Sequence, residues 1–298
     1  MDQRQKDFTI QIEGDEMPAV VVFDGKHDIL AVQHEQRSEQ DQIDLFNYSK
    51  EYVDRMNAIR ALKGTPNMAR IKDVAIASPS SDIRSLAVNT LDAKEDAELL
   101  RDLALNDSSS AVRALALRKE ASVSLAKALV TTDESFWVVS QALSIIAKEE
   151  PEAAINYADT LTQSYYKPLI GKIAEIYANT SDSKYLDFFE SHVHEVSIYG
   201  FFGFVNQYSK LCRSVDDYSE IVETAEVMKA VAMDNSSNYF KKYSATNFIK
   251  NLSGDLQSKQ EQGELSDYID KLEEMMREII SNSTDQRLKS SFKAYNQP

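Results

Sequence analysis

The stretch "NDSSSAVRALALR" places Asp107 ahead of Val112, Arg113 and Ala116, and the same spacing returns along the chain. Counting back, "SPSSDIRSLA" puts Ser78, Ile83, Arg84 and Ala87 at those places; counting forward, "DESFWVVSQA" puts Asp133, Val138, Val139 and Ala142 there. A fainter copy, "YYKPLIGKIA", keeps Ile170 and Ala174 but has Tyr165 and Gly171 at the polar positions. An Asp or Ser just before a helix accepts hydrogen bonds from unpaired N–H groups and suits the positive end of the dipole. The Val or Ile and the Ala four places on share one face, and the alanine lets helices approach closely. Each copy therefore reads as a helical hairpin with an apolar face that only the next hairpin can cover.

This grammar resembles the HEAT repeat, in which the Asp and Arg form a polar ladder between neighbouring repeats. The intervals here, about 26 to 32 residues, are shorter than the HEAT norm of roughly 40 to 47. The expectation is a mainly α protein, a HEAT/ARM-like α-α superhelix of irregular hairpins, over residues 41–298.

Residues 1–40 read differently. "FTIQIE" alternates, with Phe8, Ile10 and Ile12 on one face, and "AVVVFDG" and "DILAVQ" follow with an Asp-Gly turn between them. Three strands cannot close a sheet with a complete hydrophobic face. They are expected to be the last strands of a β-sandwich whose other strands lie in a longer parent, leaving edges open to pairing. "GTPNMARI" then supplies a helix restart, with Thr65 as N-cap and Pro66 at the first helical position.

Composition narrows the function classes. Gly (8) and Pro (6) are scarce, which favours helix. A net charge of −15 repels phosphate backbones, and no basic stripe with interleaved aromatics occurs, so nucleic acid is not an expected partner. No apolar run reaches the roughly 18 to 20 residues that cross a bilayer, so no membrane partner is expected either. The one cysteine, Cys212, lies in an apolar run and reads as a packed thiol.

Of the four histidines, His192 and His194 in "ESHVHEV" come nearest to a metal pair, but on a helix they would lie some 200 degrees apart and could not share an ion. "IYGFFGFVNQYSKL" is apolar nearly all round and reads as a buried helix. Leu265, Ile269, Leu272, Met276 and Ile279 form the stripe of an amphipathic terminal helix that packs on the array.

The order of parts carries a second resemblance. Strand, "VVFDG", strand, polar run and then "NYSKEYVDRMNAIRAL", with Asp54, Arg55 and Ala58 in a D-R-x-x-A helix, is similar to the C-terminal part of bacterial M1-family zinc aminopeptidases. The family's HExxH and GxMEN strings are absent. The resemblance implies a non-catalytic helical domain that closes and lines the substrate cavity of an upstream zinc catalytic domain. It implies no catalytic, cofactor or metal residue in this chain, zinc held upstream, and as partners that catalytic domain and, indirectly, its peptide substrate. The alternative is a free-standing HEAT-like scaffold that binds a protein partner on its concave face. The compartment is not legible from these residues.

Overall fold

The computed structural model describes residues 4–12, 15–23, 29–34, 38–49, 52–62, 68–162, 167–260 and 263–295. The described residues are mainly α, in a helical-repeat-like arrangement. Ahead of the helices the backbone runs through three extended segments, β1 (Arg4–Ile12), β2 (Asp15–Phe23) and β3 (Ile29–His34), paired antiparallel in the order β1-β2-β3. The expected Asp24-Gly25 turn and the Thr65-Pro66 helix start lie outside the described residues.

The chain divides into two compact units, Met1–Leu129 and Val130–Pro298. In the first, α1 (Glu39–Tyr48) packs on α2 (Tyr52–Leu62), α3 (Met68–Ala77) on α4 (Ser81–Thr90), and α5 (Ala97–Asn106) on α6 (Ser110–Glu120). Successive hairpins meet through their second helices, α2 against α4 and α4 against α6. That is the stacking expected when no single hairpin can hide its own apolar face.

Local chemistry sets where these helices start and stop. Ser38 and Asp41 form a reciprocal capping box on α1, with the Ser38 N–H donating to Asp41 Oδ2 at 2.8 Å and the Asp41 N–H to Ser38 Oγ at 3.1 Å. Helix α6 ends at Ala121, which turns left-handed at φ 54° so that its N–H reaches the Leu117 carbonyl. The division between the units falls within α7 (Val123–Thr132).

In the second unit, α8 (Phe136–Glu149), α9 (Pro151–Thr162) and α10 (Ile170–Tyr177) pack on one another. After the short α11 (Leu186–His192) come four longer helices, α12 (Ile198–Ser214), α13 (Tyr218–Met233), α14 (Tyr239–Lys259) and α15 (Ser266–Asn282). The short α16 (Gln286–Ser291) ends the helical run. Asp217, Asn238 and Asp285 cap α13, α14 and α16 by accepting from first-turn N–H groups.

The core of this unit is aromatic. Phe189 stacks on Tyr208 with centroids 4.7 Å apart, and Tyr208 leans on Phe248 at 5.1 Å. The stripe Leu265, Ile269, Leu272, Met276 and Ile279 is buried where α15 meets α13 and α14.

Candidate interaction surface

The repeat positions read from the sequence have defined environments. Ala87 and Ala116 are fully buried, as are Val112 beside them and Ala142 and Val138 in the second unit. Ile83 is buried on α4, and Ala174 is buried on α10. Tyr165 lies outside the described residues.

The polar positions build a rung. Arg84 donates from Nε to Asp107 Oδ2 and from Nη2 to Asp107 Oδ1, both at 2.8 Å, so the guanidinium of one hairpin grips the turn carboxylate of the next with two parallel bonds. Its third nitrogen, Nη1, donates to the Ser78 carbonyl in its own turn at 2.8 Å. Arg84 is only 7% exposed. Burial raises the Asp107 carboxyl, but the Arg84 guanidinium, the Ser109 N–H and the charge of Arg113 pull harder the other way and leave it below the usual aspartate value. A bidentate, charge-assisted pair with its remaining donors and acceptors satisfied is the arrangement in which a buried ion pair is tolerated.

The turns themselves repeat. Ser78 Oγ accepts from the Ser80 N–H at 3.3 Å, Asp107 Oδ1 from the Ser109 N–H at 2.7 Å, and Asp133 Oδ1 from the Ser135 N–H at 2.8 Å. Arg113 Nη1 donates to the Asp107 carbonyl at 2.9 Å, six residues back, as Arg84 does to Ser78.

Sequence reasoning missed a further copy. Arg55 Nε donates to the carbonyl of Ser49, again six residues back, and Ala58 is fully buried, so Ser49, Arg55 and Ala58 repeat Ser78, Arg84 and Ala87. The shared spacing was present in the letters. It was hidden because the residue after Ser49's turn, Asp54, replaces the apolar Ile83 and Val112.

One expectation needs correcting. Helix α12 is not buried all round: Phe201, Phe204, Val205 and Tyr208 point inward, but Tyr199 is 97% exposed and Phe202 65%. Apolar residues on every side do not reveal which side finds a neighbour, and only one does. Cys212 is buried, and desolvation pushes its thiol pKa up, so the thiolate is suppressed.

Beneath α12 a small polar network is closed around Glu190, whose Oε1 accepts from Thr224 Oγ1 at 3.1 Å and from the Tyr208 hydroxyl at 3.4 Å. Asp159 is bonded similarly, accepting from Tyr177 at 2.8 Å and Tyr185 at 3.4 Å while those two rings stack at 4.0 Å. Both networks tie helices together with groups already partnered.

His192 ends α11, with Nδ1 2.8 Å from the Phe188 carbonyl and its ring against Phe188; His194 is exposed in the following turn. Among the described residues no group of three or more His, Cys, Asp or Glu side chains could hold a metal ion, and no helix is long and apolar enough to cross a membrane.

Among the described residues, each unit holds an open cavity. The first, about 320 Å³, has Ile43, Phe46, Leu62 and Ile71 as its apolar lining and Asp44 and Asp73 as its carboxylates. The second, about 430 Å³, is bounded by Val130, Phe136, Val139, Tyr157 and Leu161. No family model matches this chain, and no curated protein matches it.

Proposed function

We propose that the chain is a non-catalytic, HEAT-like helical module, corresponding to the C-terminal part of an M1-like metalloaminopeptidase, with its extended N-terminal segments belonging to a β-sandwich. In that role it covers and lines the cavity of an upstream zinc catalytic domain. The observation that carries the reading is the Arg84–Asp107 rung between turns of the same build. It joins one hairpin to the next by the residues that the HEAT-like grammar sets aside for that task. The HExxH and GxMEN strings are absent from these residues, and the reading gives no residue of this chain a part in hydrolysis.

The test is to read the gene upstream of Asp2 and then assay the longer product. The expected result is an HExxH motif a few hundred residues ahead, peptidase activity in the longer protein, and no turnover of an aminoacyl-coumarin by this chain with added zinc. A reading frame that starts at Met1, or turnover that survives repurification of this chain, overturns it. The second reading, a scaffold that binds a protein partner, is favoured by the exposed acidic and apolar face of the first unit, where Asp73 and Asp102 accompany Ile76 and Leu105.

A further inference from the structure

Among the described residues of Met1–Leu129, the large apolar side chains left exposed are Tyr48, Val53, Ile76 and Leu105. They are not scattered. Ile76 and Leu105 each stand two places before a turn residue, Ser78 and Asp107, while Tyr48 and Val53 flank the equivalent Ser49. Their exposures, 57% for Ile76 and 45% for Leu105, are those of side chains with one face in water.

A carboxylate accompanies them. Asp73 and Asp102 lie three residues before Ile76 and Leu105, which places each acid and its apolar neighbour on the same helix face. Asp44 holds the corresponding place on α1, and all three aspartates are exposed. They sit near the middle of α1, α3 and α5, where Asp44 accepts from Gln40 Nε2 at 2.8 Å and Asp102 from Asn106 Nδ2 at 2.7 Å.

Among the cations whose side chains are described, Lys72 on α3 is held by Asp96 and others are drawn off this face. Arg55, Arg84 and Arg113 fold back onto the carbonyls of Ser49, Ser78 and Asp107. The exposed Arg60, Lys94 and Arg118 lie toward the opposite ends of the hairpins, and Arg101 pairs there with Glu120 at 2.8 Å. Between α1 and α3 the cavity of about 320 Å³ has an apolar floor and the Asp44 and Asp73 carboxylates in its lining. That combination suits an alkyl stem with a cationic head.

From this geometry we infer that the face carrying Asp44, Asp73, Asp102, Tyr48, Ile76 and Leu105 binds a basic amphipathic segment of a partner protein, with a Lys or Arg side chain in the α1–α3 cavity and apolar side chains over Ile76 and Leu105. Charge complementarity selects the occupant: the same carboxylates repel phosphate, whether of nucleic acid or of lipid. The acid and its apolar neighbour recur from hairpin to hairpin, so the partner should offer basic and apolar residues in repeated alternation. The inference does not rest on the peptidase reading and is scored without hydrolysis.

The test titrates the whole chain against a fluorescein-labelled peptide of repeated Lys-Leu-Ser triplets and follows anisotropy. Saturable binding is expected for that peptide and not for its Glu-Leu-Ser or Lys-Ser-Ser counterparts. The pairs Asp44→Asn with Asp73→Asn, and Ile76→Ser with Leu105→Ser, should each weaken binding roughly tenfold or more. Asp270→Asn with Glu274→Gln removes the same charge from α15 and should leave binding unchanged. All six side chains are exposed, so circular dichroism should show folded variants; if one face pair fails to fold, the other decides. Absence of saturable binding overturns the inference. So does equal weakening by the α15 pair, which would mean diffuse attraction to the net charge of −15. Self-association of the chain reversed by Ile76→Ser with Leu105→Ser would assign the face to a second copy and overturn it too.

Discussion

Helices α1 to α6 are 10 or 11 residues long and close on buried alanines, and the turns at Ser78 and Asp107 share one hydrogen-bond plan. Helices α12 to α15 run 16 to 21 residues and close on aromatic rings and methionines. The first region is specified by position, because each residue type does the same job in each copy. The second is specified by shape, since rings such as Phe189, Phe204, Tyr208 and Phe248 interlock. This is why the repeat fades toward the C-terminus: a core filled by large side chains no longer needs an alanine at a set place.

The largest expected effect lies in the shape-specified region. Phe189 is fully buried and stacked on Tyr208, and Phe189→Ala should cost about 4 kcal/mol, read as a lower urea midpoint for loss of near-ultraviolet dichroism. If the cost falls under about 1 kcal/mol, the aromatic core is not what holds that unit.

Next is the rung. Asp107→Ala leaves the Arg84 guanidinium buried without its counter-charge and should cost about 3 kcal/mol. Peptide-resolved hydrogen exchange sharpens the comparison: α4 to α6 should lose protection while α12 to α15 keep theirs. An equal loss in both would erase the distinction between the regions.

The same carboxylate sets a pH dependence. An unfolded aspartate titrates near about 3.9, and the folded Asp107 lies below that, so its contribution is complete above the unfolded value and is lost as pH falls through the folded one. Wild type should therefore lose more stability than Asp107→Asn on going from neutral pH to below about 4. Parallel melting curves for the two proteins across that range would contradict the rung's assigned role.

A smaller effect is expected from overfilling the repeat. Ala116 is fully buried on α6 against a neighbouring hairpin, and Ala116→Leu should cost about 2 kcal/mol by thermal unfolding. The smallest change is a gain. Ser253 Oγ is buried without a hydrogen-bond partner, so Ser253→Ala should leave stability unchanged or raise it by up to about 1 kcal/mol. A clear loss would reveal a partner for that hydroxyl.

The repeat was legible where a single residue type serves a single local purpose. The turn acids and serines, the buried alanines and the stripe on α15 followed from capping and periodicity. Other features resisted for a physical reason. The Ser49 copy was masked by Asp54 at an apolar place, and the exposed side of α12 could not be told from its buried side. The acid five places before the turns at Ser49, Ser78 and Asp107 looked like ordinary surface charge until Asp44, Asp73 and Asp102 were seen beside exposed apolar neighbours.

What the letters determined alone is what depends on neighbours along the chain: turn acids and serines such as Asp107 and Ser78 ahead of helices, small residues for close approach, and the absence of the HExxH and GxMEN strings. What only the tertiary structure decided is which groups meet across turns. Arg84 reaches a carboxylate 23 residues away, Tyr208 finds Glu190, and Tyr199 finds water. Local hydrogen bonding is written in short-range spacing, whereas burial is a property of the whole packed chain and is settled only when every helix competes for the same apolar neighbours.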